Sequence, residues 1–124
     1  MTFNNMISDS YKSAEPQIGM GATFLSFTDR NPGTITEIIS PKQIRIERCD
    51  HEAVPKEGGY VFGENIPQIF KPRTVEEIEA DKEPRGEIYS LRRNGKWIIK
   101  GASLHQSGLS AMIGERDYYY DPHF

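Results

Sequence analysis

The chain has 124 residues, with 15 lysines and arginines against 18 aspartates and glutamates and a formal net charge of −3. This length predicts one domain. The acidic balance gives no general reason to bind duplex nucleic acid, because that binding depends on phosphate neutralisation by basic side chains. Hydrophobic residues make up only 36% of the chain, so we expect subunit contacts in a homo-oligomer to complete a thin core.

Cysteine and histidine usage gives no sign of a metal, a cofactor or a disulfide. Cys49 is the single cysteine, and the three histidines are scattered along the chain, without the spacing of a zinc site. The first residues lack the basic and apolar regions of a secretory signal, and no segment approaches the ~20 apolar residues of a membrane span. We therefore expect a soluble cytoplasmic protein with no membrane partner.

The sequence predicts that the chain divides into two regions. Residues 1–15 are predicted to form an N-terminal helix or arm, because Phe3, Ile7 and Tyr11 are spaced four apart. Residues 16–124 are predicted to form a single β-rich domain. The turn-forming residues 29–33 predict a chain reversal, and Ser40-Pro41-Lys42 predicts a tight hairpin. The buried contacts expected between residues 34–40 and 43–49 are Ile35, Ile38, Ile39, Ile44 and Ile46.

The middle of the chain is too rich in proline and glycine for long regular structure. A short strand is predicted at residues 68–71. Thr74 and Glu77 match a capping box, which predicts a short helix that lies on the surface or is partly disordered. Together these patterns indicate a mainly β fold, either a small twisted antiparallel sheet or an open barrel, with one or two short helices.

Asn94-Gly95 joins two strand-like runs, which predicts a type I′ hairpin with Arg92 opposite Trp97. A guanidinium stacked on the indole would present charge and a π surface to a nucleobase or a phosphate. Alternatively, the aliphatic part of Arg92 covers a tryptophan of the core. The same hairpin carries a local excess of basic residues over Glu87, namely Arg85, Arg92, Arg93, Lys96 and Lys100.

Arg30 and Arg116 occupy two similar settings, each beside an acidic residue and near glycine. Turns of this kind offer backbone N–H groups, and with a planar guanidinium they bind phosphate oxygens well. Alternatively, Asp29 and Asp117 stabilise their own turns while both arginines lie in water. The aromatic residues that follow Arg116 are a large apolar surface for a free tail, so we expect this tail to be docked.

Catalytic patterns are poorly represented. Cys49, Asp50 and His51 are consecutive, and adjacent strand side chains point to opposite faces, so these three would not converge. Ser107 lacks the flanking glycines of a nucleophile elbow. The sequence therefore predicts a noncatalytic protein.

Four segments together resemble a family of small phage proteins: residues 19–23, residues 28–38, the hairpin at 92–97 and the closing run at 114–122. This family is the first group of Thoeris anti-defence proteins, which sequester cyclic ADP-ribose isomers made by bacterial TIR enzymes. The resemblance implies a noncatalytic, β-rich homo-oligomer, such as a hexamer, that holds its ligand near subunit contacts. It also implies that some members hold cyclic oligonucleotides at separate sites. The acidic stretch at residues 76–83 matches no motif of the family.

Residue by residue, the resemblance implies that Arg30 and Arg116 bind the diphosphate of the ligand. It implies that Asn94, with Tyr89 or Trp97, positions the base and ribose, beside Arg92. Two alternative functions stay open at this point. One is a phage structural protein or single-stranded nucleic-acid adapter that uses the basic hairpin, and the other is a small nucleotide hydrolase.

Overall fold

The computed structural model describes residues 15–26, 29–61, 66–93, 95–101 and 110–119. The predicted N-terminal helix or arm therefore lies outside the described residues, except for Glu15. The described elements, in chain order, are β1 (Gly21–Ser26), β2 (Asp29–Ser40), β3 (Gln43–Arg48), β4 (Asp50–Ala53), β5 (Gln68–Lys71), α1 (Val75–Glu79), β6 (Glu87–Leu91), β7 (Trp97–Ile99) and β8 (Ser110–Ile113).

Six antiparallel strands form a closed barrel in the order β1-β2-β3-β6-β7-β8. β8 pairs with β1, with Ala22 opposite Ile113, so the barrel is closed rather than open. Strands β4 and β5 form a separate two-stranded sheet, and β5 occupies the segment predicted from the sequence. The mainly β prediction is confirmed, whereas a single chain does not test the predicted homo-oligomer.

The core fills the inside of the barrel with alternate side chains from its strands. The rings of Phe24 and Tyr89 meet there with centroids 5.8 Å apart. Burial of this apolar surface is the main stabilising contribution to the fold. The buried members of the core are Ala22, Ile35, Ile44, Ile46, Tyr89, Trp97, Ala111 and Ile113.

The hairpin between β2 and β3 is confirmed, with Ser40 paired to Gln43 across the predicted turn. The register shifts between Ile35 and Glu37 and again between Ile38 and Ser40. Such bulges change which face of the strand a side chain occupies. Ile38 and Ile39 are consequently exposed, at 37% and 43%, and not buried as predicted.

The chain reversal predicted at residues 29–33 is wrong, because these residues form the first part of β2. Ser26 pairs with Asp29, so the chain has already reversed before this segment. Proline is tolerated in a strand where no partner needs its N–H group. Pro32 lies next to Gly33, the last residue of β2 paired with β3, and its carbonyl oxygen accepts the N–H of Cys49 at 3.0 Å.

The hairpin between β6 and β7 is present, but its register differs by one residue from the prediction. Leu91 pairs with Trp97, and the N–H of Arg92 donates to the carbonyl oxygen of Lys96 at 2.9 Å. Three residues, 93–95, therefore connect the strands instead of two, and Gly95 has a φ of 81°, as in three-residue hairpin loops. The predicted pairing of Arg92 opposite Trp97 is wrong, since a one-residue slip moves each side chain to the other face.

Helix α1 begins with the predicted capping box. The N–H of Glu77 donates to Thr74 Oγ1 at 3.2 Å, and the N–H of Thr74 donates to Glu77 Oε1 at 3.1 Å. These bonds satisfy backbone donors that a helix start leaves unpaired. The bond from the Thr74 N–H to the Glu77 carboxylate also lowers the pKa of that carboxyl. Within the described residues, no helix has the length and apolar character needed to cross a membrane.

Candidate ligand-binding site

A C-terminal strap, residues 115–119, crosses the outer surface of β1 and β2. Thr23 donates its hydroxyl to the carbonyl oxygen of Glu115 at 2.7 Å. At the other end, Tyr119 and Arg30 exchange two backbone hydrogen bonds of 2.8 and 2.9 Å. Thr23 and Thr34 face outward yet are 2% and 1% exposed, because the strap covers them. The predicted docking of the tail is confirmed for these five residues.

Arg116 lies against the barrel wall and is held there by specific contacts. Its Nη2 donates to Thr34 Oγ1 at 3.0 Å and to the carbonyl oxygen of Gly19 at 3.3 Å. The side chain also packs over Gly21, where a Cβ atom would stand 2.9 Å from Arg116 Cγ. Its Nε is buried and has no hydrogen-bond partner among the described residues. The guanidinium is thus positioned by the fold through its Nη2.

Arg30 reaches the strap from β2 and pairs with the neighbour of Arg116. Its Nη1 lies 2.9 Å from Asp117 Oδ2, and both side chains are about half exposed. The other carboxylate oxygen of Asp117 accepts the N–H of Tyr118 at 2.8 Å. Surface ion pairs of this kind contribute only ~0–1 kcal/mol, so a ligand phosphate can compete with Asp117 for Arg30.

The strap also contacts the two-stranded sheet. The ring of Tyr118 stacks at a tilt against His51 of β4, with centroids 4.6 Å apart. His51 Nδ1 lies 2.7 Å from Gln68 Oε1 on β5. The strap is therefore supported by the barrel on one side and by β4 and β5 on the other.

The two aromatic residues assigned to base recognition lie in the barrel core. Tyr89 is 6% exposed and Trp97 is 1% exposed. Burial raises the pKa of the Tyr89 phenol, an effect that nearby Arg48 opposes and Glu87 reinforces. The indole Nε1 of Trp97 has no hydrogen-bond partner in the described parts of the chain. Neither ring offers a face to a base at the surface of a single chain.

The remaining two predicted site residues belong to the β6–β7 hairpin. Arg92 is half-buried on the strand side of the loop, one residue beyond the pair formed by Leu91 and Trp97. Asn94 lies outside the described residues. The structure thus brings Arg30 and Arg116 to one strap and assigns Tyr89 and Trp97 to the core.

The strap geometry sets a distance between the two arginines. Arg116 is bound to Thr34, which lies four residues along β2 from Arg30. Four residues of strand span roughly 13 Å. One diphosphate contacts both guanidinium groups only if the two side chains extend toward each other across this distance.

Sequence reasoning missed the residues that position Arg116. Thr34 and Gly21 belong to strands that are distant from the strap in sequence, and only the closed barrel brings them beneath it. Glycine in a strand that allows close approach of another segment is the one signal that could have indicated Gly21. Among the described residues, no group of three histidine, cysteine or acidic side chains could hold a metal ion.

Comparisons of the chain with protein-family models, with curated proteins and with solved structures returned no match.

Proposed function

We propose that this protein captures a ring-closed nucleotide of the cyclic ADP-ribose type, without turnover, in the cytoplasm of a bacterial host. The observation that carries the proposal is that Arg30 of β2 and Arg116 of the strap lie on the same outer face of the barrel, roughly 13 Å apart along β2, although 86 positions separate them in the sequence. Two planar guanidinium groups can bind a diphosphate through charge-assisted hydrogen bonds. Tight retention then needs slow release and no catalytic base.

The proposal gives each arginine a different part. Arg116 is fixed against the barrel by Thr34 and Gly19, so it binds phosphate with little loss of side-chain entropy. Arg30 is paired with Asp117 at the surface and exchanges that carboxylate for a phosphate oxygen. Because Tyr89 and Trp97 are buried, we expect the aromatic side chains that stack on the base to come from a neighbouring copy in the proposed homo-oligomer.

The test is titration calorimetry with a cyclic ADP-ribose isomer, followed by heat release and mass spectrometry of the nucleotide. We expect intact nucleotide to be recovered, and a loss of affinity of roughly tenfold or more for Arg30→Ala and for Arg116→Ala. Arg93→Ala, at an exposed hairpin position, is the matched control and retains the wild-type affinity. Unchanged affinity in both strap variants would show that the strap is not the binding site. Recovery of a hydrolysed product would show that the protein is not a noncatalytic binder.

Asp117→Asn gives a test in the opposite direction. The amide keeps an oxygen for the N–H of Tyr118 but removes the negative charge that competes for Arg30. We expect this variant to bind the nucleotide more tightly than the wild type. A weaker affinity would show that Asp117 belongs to the binding surface and does not compete with the ligand.

A second candidate function is favoured by the exposed hairpin. Arg93, Lys96 and Lys100 are all exposed around the β6–β7 turn, an arrangement suited to the phosphates of a single strand. In that function Arg93→Ala lowers the retention of the protein on single-stranded DNA and reduces its salt dependence, while Arg30→Ala has no effect.

Light scattering of the purified protein tests the homo-oligomeric assembly that the first proposal requires.

A further inference from the structure

A cavity of about 210 Å³ lies beside the barrel, where β3 leads into β4 and the end of β5 approaches the start of β6. Four cations and two carboxylates line this cavity, and two further carboxylates, Glu52 and Asp81, pair with lining cations. The cavity is separate from the strap residues described above. Its lining consists of Glu47, Arg48, Cys49, Asp50, Lys71, Arg73 and Arg85.

Arg73 is a fixed part of the cavity wall. Its guanidinium forms ion pairs with Glu47 and, at 2.9 Å, with Asp81. The hydrogen bonds that its guanidinium donates to Glu47 and to Asp81 raise the pKa of Arg73 above its already high ordinary value. Because two carboxylates neutralise it, Arg73 shapes the wall and is not the main attraction for an anion.

The other three cations can turn toward a ligand. Arg48 lies 5.4 Å above the centroid of the Phe24 ring, and no ion pair links it to a carboxylate of the described residues. Lys71 pairs with Glu52 at 2.9 Å, with both side chains more than half exposed. Arg85 is 64% exposed. The exposed pair of Lys71 and Glu52 is weak, so a multiply charged anion can displace Glu52, whereas Asp81 lies 3.4 Å from Arg85 and stays paired with Arg73.

We propose that this cavity binds a compact phosphate-type anion through Arg48, Lys71 and Arg85. Pockets that enclose a whole drug-sized ligand measure roughly 300–1,000 Å³, and 210 Å³ is below that range. The volume therefore suits a pyrophosphate or the terminal phosphates of a nucleotide, with any nucleoside outside. Convergent cations on such a group give charge-assisted hydrogen bonds, which are the stronger class.

Asp50 opposes this binding and provides a test. Its carboxylate lines the cavity opposite Lys71, its partner in the β4–β5 ladder. A negative charge at this place repels an incoming anion. Removal of that charge therefore raises the affinity for the anion, whereas removal of Arg48 or Lys71 lowers it.

The experiment is titration calorimetry of the full chain with inorganic pyrophosphate and, separately, with ADP. We expect Arg48→Gln and Lys71→Gln each to weaken binding roughly tenfold, and Asp50→Asn to tighten it. Lys42→Gln, which removes an exposed lysine from the β2–β3 turn, is the matched control. Thermal melts of each variant establish that it is folded.

The two ligands distinguish the sources of the phosphate. Equal affinity for pyrophosphate and ADP would show that the cavity recognises the phosphates alone. Tighter binding of ADP would show that it recognises a nucleotide whose terminal phosphates enter the cavity. No binding of either ligand would overturn the proposal, as would an equal loss in Lys42→Gln. Arg48→Gln and Lys71→Gln retain the wild-type affinity for the cyclic ADP-ribose isomer, because neither residue belongs to the strap, so this inference and the proposed strap function fail independently.

Discussion

Arg73→Met is expected to destabilise the protein strongly, because Arg73 links the barrel to the segment that follows α1. The side chain of Arg73 is 20% exposed, and those of its partners Glu47 and Asp81 are 11% and 17% exposed. Loss of one member of a fully buried ion pair costs about 3–5 kcal/mol, because the remaining charge is left unpaired. Partial exposure of these three groups reduces the expected cost to about 2–3 kcal/mol.

Thermal and urea unfolding followed by circular dichroism measure this cost. For a chain of this size the expected loss corresponds to a decrease in Tm of about 10 °C. Lys71→Met is the control, because Lys71 and Glu52 are both more than half exposed and such a pair contributes less than ~1 kcal/mol. The double variant Arg73→Met/Glu47→Gln should recover part of the stability, since it removes one unpaired carboxylate.

Two results would refute this reasoning. One is an Arg73→Met variant that loses no more stability than Lys71→Met. The other is a double variant with Glu47→Gln that is less stable than Arg73→Met alone. Either result would mean that burial does not make this network stronger than an ordinary surface ion pair.

Three further predictions follow from the described contacts. Gly21→Ala should weaken nucleotide binding in calorimetry, although Arg116 itself is unchanged. The new Cβ would stand 2.9 Å from Arg116 Cγ and displace that side chain. Wild-type affinity in a folded variant would contradict this. The raised pKa of Tyr89 contributes stability that is fully present below the ordinary tyrosine pKa of 10.0 and is lost as the pH rises through the folded-state value. The alkaline decrease in unfolding free energy should therefore become smaller in Tyr89→Phe, and an unchanged slope would show that another group causes it. Gly86→Ala should destabilise the fold far more than Gly58→Ala, although both positions have positive φ. A Cβ at Gly86 would lie 2.2 Å from a carbonyl oxygen of β3, whereas a Cβ at Gly58 would meet nothing within 4 Å. Similar unfolding midpoints of the two variants would exclude this clash as a cause of instability.

Local patterns were sufficient to predict several elements. The Ser40-Pro41-Lys42 turn, the strand at residues 68–71 and the capping box of α1 all depend on neighbours within a few residues. Backbone preferences and short-range hydrogen bonds act at that distance. The mainly β class also followed from the alternation and turn residues of the sequence.

Local patterns could not predict the register of the β6–β7 hairpin or the strand conformation of residues 29–33. Asn94-Gly95 is compatible with loops of two or of three residues, and packing of Leu91 opposite Trp97 selects the longer one. Residues 29–33 have strong turn preferences, yet pairing with β1 holds them in a strand. Tertiary pairing outweighs local propensity in both cases because it buries a whole strand face at once.

The sequence by itself determined only that Arg30 and Arg116 each stand next to an aspartate in the chain. Only the tertiary structure decided that one strap joins them, that Thr34 and Gly21 position Arg116, and that Tyr89 and Trp97 lie in the core. It also decided that residues 47–50, 71, 73 and 85 surround a single cavity. These contacts link positions far apart in the chain, and the strap contacts form only when the barrel has paired β1 with β2 and placed both beneath the strap.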